Sequence, residues 1–250
     1  MADHAKPGPR TPTVVADGVH ITYTERSGPR GTRTVHAVKG VSFAAYRGEA
    51  IGLIGSNGSG KSTLLKAVAG LLPTSAGRIY TRGRPALLGV DAALMGDLTG
   101  ERNVILGGLA MGMSRKEITA RYADIVDFSG INDKGEDAVS RPMRTYSSGM
   151  GARLRFAIAA ARSHDVLLID EALATGDAAF RRRSQKRIDE LRAEAGTVFL
   201  VSHSNATITQ TCDRALWLEA GVLLMDGPAK DVVAAYEGRA DTSPQRPPRT

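Results

Sequence analysis

A single cysteine, Cys212, stands in a chain of 250 residues. That excludes a disulfide within the chain and a zinc site built on cysteine thiolates; a lone thiol fits a reducing compartment and reads as a small buried hydrophobe. Long apolar runs are missing too. The longest, such as Phe156 to Ala161, fall far short of the roughly 18 residues a helix needs to cross a bilayer. The N-terminus carries no apolar signal core, so the expectation is a soluble protein that stays where it is made. Aromatic residues are 5% of the chain, and none interleave with basic residues to form a platform on which bases could stack, so nucleic acid is not an expected partner. No internal repeat is present.

What the chain does have is apolar mass and positive charge. Hydrophobic residues reach 42%, enough at this length for one large α/β domain with an insertion. The formal charge of +7 is unevenly spread. Residues 1–12 and 239–250, rich in Pro, Arg and small polar residues, read as flexible tails, and Glu25 to Thr34 reads as a basic loop between two strands. Two readings of this charge stay open: a solvated basic face, or contact with acidic membrane headgroups.

The apolar run Ala50 to Ile54 leads directly into Gly55-Ser56-Asn57-Gly58-Ser59-Gly60-Lys61-Ser62-Thr63, a phosphate-binding P-loop in a strand-to-helix setting. Its glycines let the backbone wrap so that amide N–H groups face the α- and β-phosphates of a nucleoside triphosphate. The helix that follows, from about Ser62 to Gly70, adds its positive end. Lys61 would reach the β- and γ-phosphates, and the Ser62 hydroxyl would ligate Mg²⁺.

Around this loop the hydrophobic period changes several times. From Val14 to Val41 alternation of apolar and polar residues predicts antiparallel strands at an edge of the nucleotide core. Between about 98 and 146 the pattern is helical: Ser114 to Glu117 is a capping box, and Ile118, Tyr122, Ile125 and Val126 share one face, predicting an inserted helical subdomain. A helix is expected from Ser148 to about Arg162, then a buried strand at 166–169, a helix from about Asp177 to Ala195, and a second buried strand at 198–201. Residues 215–218 and 222–225 flank a Glu219-Ala220-Gly221 turn and predict a β-hairpin, followed by a short helix around Lys230 to Tyr236.

The buried strand at 166–169 ends in Asp170-Glu171, at the sheet edge where ligands of open α/β folds gather. Asp170 would hold Mg²⁺ through water, and Glu171 would polarise the water that attacks the γ-phosphate. Tyr146-Ser147-Ser148-Gly149-Met150 opens a helix with small residues and backbone amides, either an anion site or an ordinary N-cap.

These motifs, with Ala174-Thr175-Gly176-Asp177 and Val201-Ser202-His203, follow the order and spacing of an ATP-binding cassette (ABC) nucleotide-binding domain, which the chain resembles over roughly residues 13–237. The resemblance implies a P-loop ATPase core of ABC type, with an antiparallel β edge subdomain and a helical insertion, spanning 13–238. It implies an ATPase in which two copies of the chain sandwich two ATP molecules with Mg²⁺. Ser147, Ser148 and Gly149 would contact the ATP held on the partner's Lys61. His203 would contact the γ-phosphate and hold the attacking water, and Asp177 would couple the two sites. Tyr23 is placed either to stack on adenine or to serve as a plain strand tyrosine.

Two departures from the usual family pattern carry information. In place of Leu-Ser-Gly-Gly-Gln stands Tyr-Ser-Ser-Gly-Met, which resembles the ABC subfamily exporting lipid-linked polysaccharides, O-antigens and teichoic acids. Glu171 to Phe180 and Leu98 to Asn103 carry the same resemblance. Second, no glutamine occurs between Thr63 and Ser184, so in the family's glutamine loop, near Gly89 to Asp91, either Asp91 or a backbone carbonyl would serve the metal. The resemblance thus implies a peripheral protein on the cytoplasmic face of the membrane, working with a separate transmembrane permease and lipid-linked glycan as cargo. The alternatives are an ABC ATPase for another cargo, such as an importer, or a soluble ABC protein outside transport. With the chain ending at Thr250, cargo selection is expected to reside in the permease, assisted by Arg26, Arg30 and Arg33.

Overall fold

The computed structural model describes residues 11–26, 31–88, 94–133, 135, 137–170, 178–202 and 204–242. In chain order it runs β1 (Pro12–Arg26), β2 (Thr32–Tyr46), β3 (Ala50–Ile54), α1 (Lys61–Val68), β4 (Ala76–Thr81), β5 (Pro85–Leu87), α2 (Gly100–Ala110) and α3 (Arg115–Ser129). After a 3₁₀ turn at Met143–Thr145 come α4 (Ser148–Ala159), β6 (Val166–Asp170), α5 (Ala178–Glu194), β7 (Thr197–Val201), α6 (Asn205–Thr211), β8 (Arg214–Glu219), β9 (Val222–Pro228) and α7 (Ala229–Thr242). The described parts of 1–81 and 199–250 form one compact unit and those of 82–198 a second, the chain passing from one to the other after Thr81 and back within β7.

In the first unit β1 lies between β2 and β4 in a three-stranded antiparallel sheet. The alternation in β1 turns Val14, Ala16, Val19 and Ile21 inward, all at or near zero exposure. Their partners across the β2 ladder, Ala45, Phe43, Val41 and Val38, are buried as well. This is the edge sheet that the alternating pattern predicts. Its third strand, β4, carries no apolar signal in the sequence, since its positions are exposed or half-exposed.

The other sheet of this unit begins with β3, whose Ile51, Leu53 and Ile54 are buried. It pairs in parallel with β8, from Ile51 opposite Arg214 to Ile54 opposite Trp217. Strand β9 then folds back antiparallel on β8, the expected hairpin. Arg214 pins the far end: its guanidinium donates to Asp226 at 2.6 Å twice and to Glu49 at 3.2 Å. The Asp226 hydrogen bonds raise the Arg214 pKa above its ordinary value. Cys212 is buried, as expected of a small apolar side chain.

The second unit pairs β5 in parallel with β6 and adds the helical layer. The capping box is formed: Ser114 Oγ accepts from the Glu117 amide at 3.2 Å, and the Glu117 carboxylate accepts from the Ser114 amide at 2.7 Å. Ile118, Ile125 and Val126 face a core shared with Val104, Leu154 and Ile158. Because Leu154 and Ile158 belong to α4, the helical layer extends past residue 146, the boundary expected from the sequence. Phe128, Phe156 and Phe180 meet one another at centroid distances of 5.9–6.0 Å and tie α3, α4 and α5 together.

A second boundary also differs from its expectation. A flexible tail is expected from residue 239, yet α7 continues to Thr242. Gly238 and the Pro-rich sequence beyond it argue for an early stop. Tertiary contact overrides that weak local preference, since the Arg239 guanidinium lies 5.5 Å over the Trp217 ring. Residues 1–10 and 243–250, the ends of the expected tails, lie outside the described residues.

Candidate nucleotide-binding site

Strand β3 delivers the P-loop to the start of α1, and two glycines explain why the chain can turn there. Gly55 has φ +141°, and a Cβ on it would lie 1.9 Å from the Leu218 carbonyl oxygen. Gly60 has φ +104°, and a Cβ there would lie 2.4 Å from the Ala37 carbonyl oxygen. Neither position admits a side chain, so the loop is a backbone cradle closed from outside by β2 and β8. Gly60 is also the N-cap of α1 and no side chain caps that end. This is the arrangement in which a helix start receives a phosphate.

Lys61 is buried. Its ammonium donates to the Gly55 and Ser56 carbonyls at 2.8 Å each, and approaches Ser59 Oγ at 3.4 Å. A positive charge is thus held inside the ring of the loop, where the β- and γ-phosphates of a nucleotide would lie. Ser56, Asn57 and Gly58 form the exposed lip of the loop, while Ser59 and Gly60 are buried. Ser62 is exposed in the first turn of α1, and Thr63 beside it is half-buried. The Tyr23 hydroxyl on β1 donates to Thr63 Oγ1 at 3.3 Å, so the tyrosine reaches the same helix start. The hydroxyl of Ser62 is a hard oxygen donor of the kind Mg²⁺ takes together with phosphate oxygens. An uncapped helix end, a glycine cradle and an enclosed ammonium fit an anionic nucleotide with its metal.

A carboxylate missed by the sequence reading completes this corner. Glu219, at the end of β8, accepts the Ser56 hydroxyl at 2.5 Å across 163 positions of sequence. Burial pushes the Glu219 pKa upward, but hydrogen bonds from Ser56 and the Trp217 indole outweigh it and leave the carboxyl below its ordinary value. The local sequence locates the turn after Glu219 and carries no sign of what its side chain meets.

The second unit carries the other candidate residues. Ser147 is the N-cap of α4, its Oγ accepting from the Met150 amide at 3.2 Å, so this residue is an ordinary cap in its own chain. Ser147 and Ser148 are nonetheless exposed. With Leu94, Gly96, Tyr146 and Arg155 they line a shallow cleft of about 160 Å³. Arg155, two turns into α4, places a guanidinium on that cleft and was not singled out from the sequence. Tyr146, the first residue of the motif, turns its hydroxyl inward to the Ala138 carbonyl at 2.7 Å. Desolvation raises its pKa. Asp170 ends β6 half-exposed after four buried residues, as the strand pattern predicts. Glu171, Asp177, His203 and Asp91 lie outside the described residues.

Residues 38–174 match the family model described as ABC transporter. The chain is 39% identical over 203 residues to the teichoic acids export ATP-binding protein TagH of Enterococcus faecalis, covering 81% of this chain and 44% of that protein. It is 38% identical to the ABC transporter protein AbcA of Aeromonas salmonicida, covering 82% and 65%. Against the O-antigen export system ATP-binding protein RfbB of Myxococcus xanthus it is 36% identical, covering 83% and 47%. The chain therefore spans about half the length of most of these relatives.

Among solved structures, the dimeric post-hydrolysis form of the ATP-binding cassette MJ0796 bound to ADP and Pi matches with a TM-score of 0.66 at 20% identity, covering 86% of this chain and 98% of that one. An ATP-binding subunit of an ABC transporter matches at 0.69 and 23%, covering 90% and 93%. At these identities the likeness is one of fold.

Proposed function

The chain belongs to the ABC transporter family, and from that premise we propose that it is the ATP-hydrolysing subunit of an exporter of lipid-linked cell-envelope polysaccharide. The observation that carries the nucleotide part is the cradle at Gly55 and Gly60 around the enclosed Lys61 ammonium, at a helix end that no side chain caps. Support for the cargo class comes from relatives named for teichoic acid and O-antigen export.

The proposed cycle assigns work to this chain's residues. The P-loop from Gly55 to Thr63 wraps the phosphates, Lys61 offsets the charge on the β- and γ-phosphates, and Tyr23 stacks on adenine. Ser62, Asp170 and Asp91 are the proposed ligands of Mg²⁺, which when bound would further offset phosphate charge. Glu171 takes a proton from the attacking water, and His203 orients that water against the γ-phosphate. Ser147, Ser148 and Gly149 serve the ATP held by a second copy, and Asp177 links the two sites. Hydrolysis by a homodimer would then drive a separate permease, with this subunit peripheral on the cytoplasmic face of the membrane. No helix among the described residues is long and apolar enough to cross a membrane.

The test is to purify the tagged protein from native membranes after mild detergent extraction and identify what accompanies it. The expected companion is a protein with several membrane spans whose loss stops surface polysaccharide export. A companion tied to solute uptake, with export intact in its absence, contradicts the cargo assignment.

A further inference from the structure

The turn joining β8 to β9 is built against the P-loop at several points. Glu219 Oε1 accepts the Ser56 hydroxyl at 2.5 Å. The Gly221 amide donates to the Ser59 carbonyl at 3.0 Å, and the Gly221 carbonyl accepts from the Lys39 amide at 2.8 Å. The Leu218 carbonyl occupies the place a Cβ on Gly55 would need. All but the first are backbone contacts open to many sequences. The first depends on one carboxylate.

That carboxylate has little freedom to move. Ala220 has φ +47°, the one non-glycine residue with positive φ among the described residues, and Gly221 follows with φ +85°. Positive φ at both central residues is what a tight two-residue hairpin requires, so the register of Glu219 is set by the turn. Its other oxygen faces the Trp217 indole Nε1 at 3.5 Å. Trp217 in turn meets two residues of α7: Tyr236, edge-on with centroids 5.5 Å apart, and the Arg239 guanidinium over its ring. An unbroken chain of contacts within one unit therefore runs from the last turns of α7 to the first residue after Gly55.

A carboxylate opposes an anionic ligand by its charge, so what Glu219 offers the loop is geometry. An acceptor that fixes Ser56 before the nucleotide arrives spares the loop part of its ordering cost on binding. We infer that Glu219 is a positioning residue for nucleotide binding, holding the P-loop through Ser56, and that α7 holds Glu219 in turn through Tyr236 and Arg239 on Trp217. This inference rests on the nucleotide-binding reading above.

The experiment is equilibrium titration of the full chain with a fluorescent ATP analogue and Mg²⁺, alongside the melting temperature without ligand. The variants are Lys61→Ala, Glu219→Ala, Glu219→Gln and Arg239→Gln. Glu219→Ala is expected to weaken binding about tenfold, the scale of a hydrogen bond to a charged group. Glu219→Gln keeps an oxygen that accepts from Ser56 and should recover to within about threefold of wild type. Arg239→Gln should weaken binding about two- to threefold through loss of its contact with Trp217 and of its positive charge near Glu219. In steady-state hydrolysis all three should raise KM for ATP while kcat changes less.

Lys61→Ala separates the two levels of the argument. If wild type does not bind the analogue, or Lys61→Ala binds it as tightly as wild type, the P-loop is not the nucleotide site and this inference fails with that reading. If Lys61→Ala loses binding while Glu219→Ala binds as tightly as wild type or tighter, only the positioning role is overturned. Equal losses in the Ala and Gln variants, matched by equal drops in melting temperature, would reduce Glu219 to a structural residue and overturn it as well. An unchanged Arg239→Gln overturns the part assigned to α7. Should Glu219→Ala not fold, Ser56→Ala, which removes the donor to Glu219, decides the matter: a loss of about tenfold is expected, and unchanged affinity overturns the positioning role.

Discussion

At the scale of single residues the P-loop leaves little latitude. Gly60 combines φ +104° with a notional Cβ 2.4 Å from a backbone oxygen that no rotamer change can move. Gly60→Ala should therefore destabilise the protein by on the order of 3 kcal/mol, from backbone strain and the shift of β2 together. The midpoint of chemical denaturation measures it, and nucleotide affinity should fall in the same variant. A substitution at Gly58, where a Cβ would meet nothing within 4 Å, should be milder although its φ is also positive. Equal midpoints for Gly60→Ala and wild type would show that the loop relaxes freely. The contrast was only partly legible in the sequence. The spacing of glycines identified the loop, but which of them touches backbone depends on Ala37 and Leu218, residues distant in the chain.

At the scale of elements, the α3 capping box offers a test in which the sign is fixed by electrostatics. The backbone hydrogen bond from Ser114, with the Ser114 side chain second, lowers the Glu117 pKa below the ordinary glutamate value. A carboxyl whose folded pKa is depressed adds stability above its unfolded pKa, and that stability is lost as pH falls through the folded value. The difference in melting temperature between wild type and Glu117→Gln should accordingly be present at neutral pH and shrink as pH drops below the ordinary glutamate range. A difference that is constant from neutral to acid pH contradicts the box as an ionic cap. Here the sequence was sufficient, since four consecutive residues carry the whole device. The same holds for the β8–β9 hairpin, whose turn residues sit side by side. Strand β4 and the last turn of α7 were less legible because their support is tertiary: β4 depends on pairing with β1, and Arg239 on a tryptophan in β8. Asn103 lies between these cases. It falls in a stretch that resembles the exporting subfamily, and the structure gives its buried side chain hydrogen bonds to the backbone of Met95, Leu98 and Thr99.

At the scale of the whole molecule, the candidate residues divide between two units. The P-loop, Tyr23 and Glu219 belong to the first, and Ser147, Arg155 and Asp170 to the second. The order of motifs along the chain made the family legible, while the extent of the helical layer beyond residue 146 was not, because α4 looks like an independent helix until its Leu154 and Ile158 are seen in the shared core. Ser147 caps its own helix and is exposed to solvent, so in the proposed dimer its second task is done for another copy of the chain. That makes association the property on which the proposed mechanism turns. The direct measurement is the mass of the Glu171→Gln protein by light scattering, with and without Mg²⁺ and ATP. Removing the proposed base should slow hydrolysis by on the order of a hundredfold or more and let the ATP-bound state accumulate. The expected result is a rise from the monomer mass of 26.4 kDa toward twice that value with Mg²⁺ and ATP, abolished by adding Ser147→Arg. A protein that binds ATP and stays monomeric at every concentration would contradict the shared site and the ATP-driven cycle built on it.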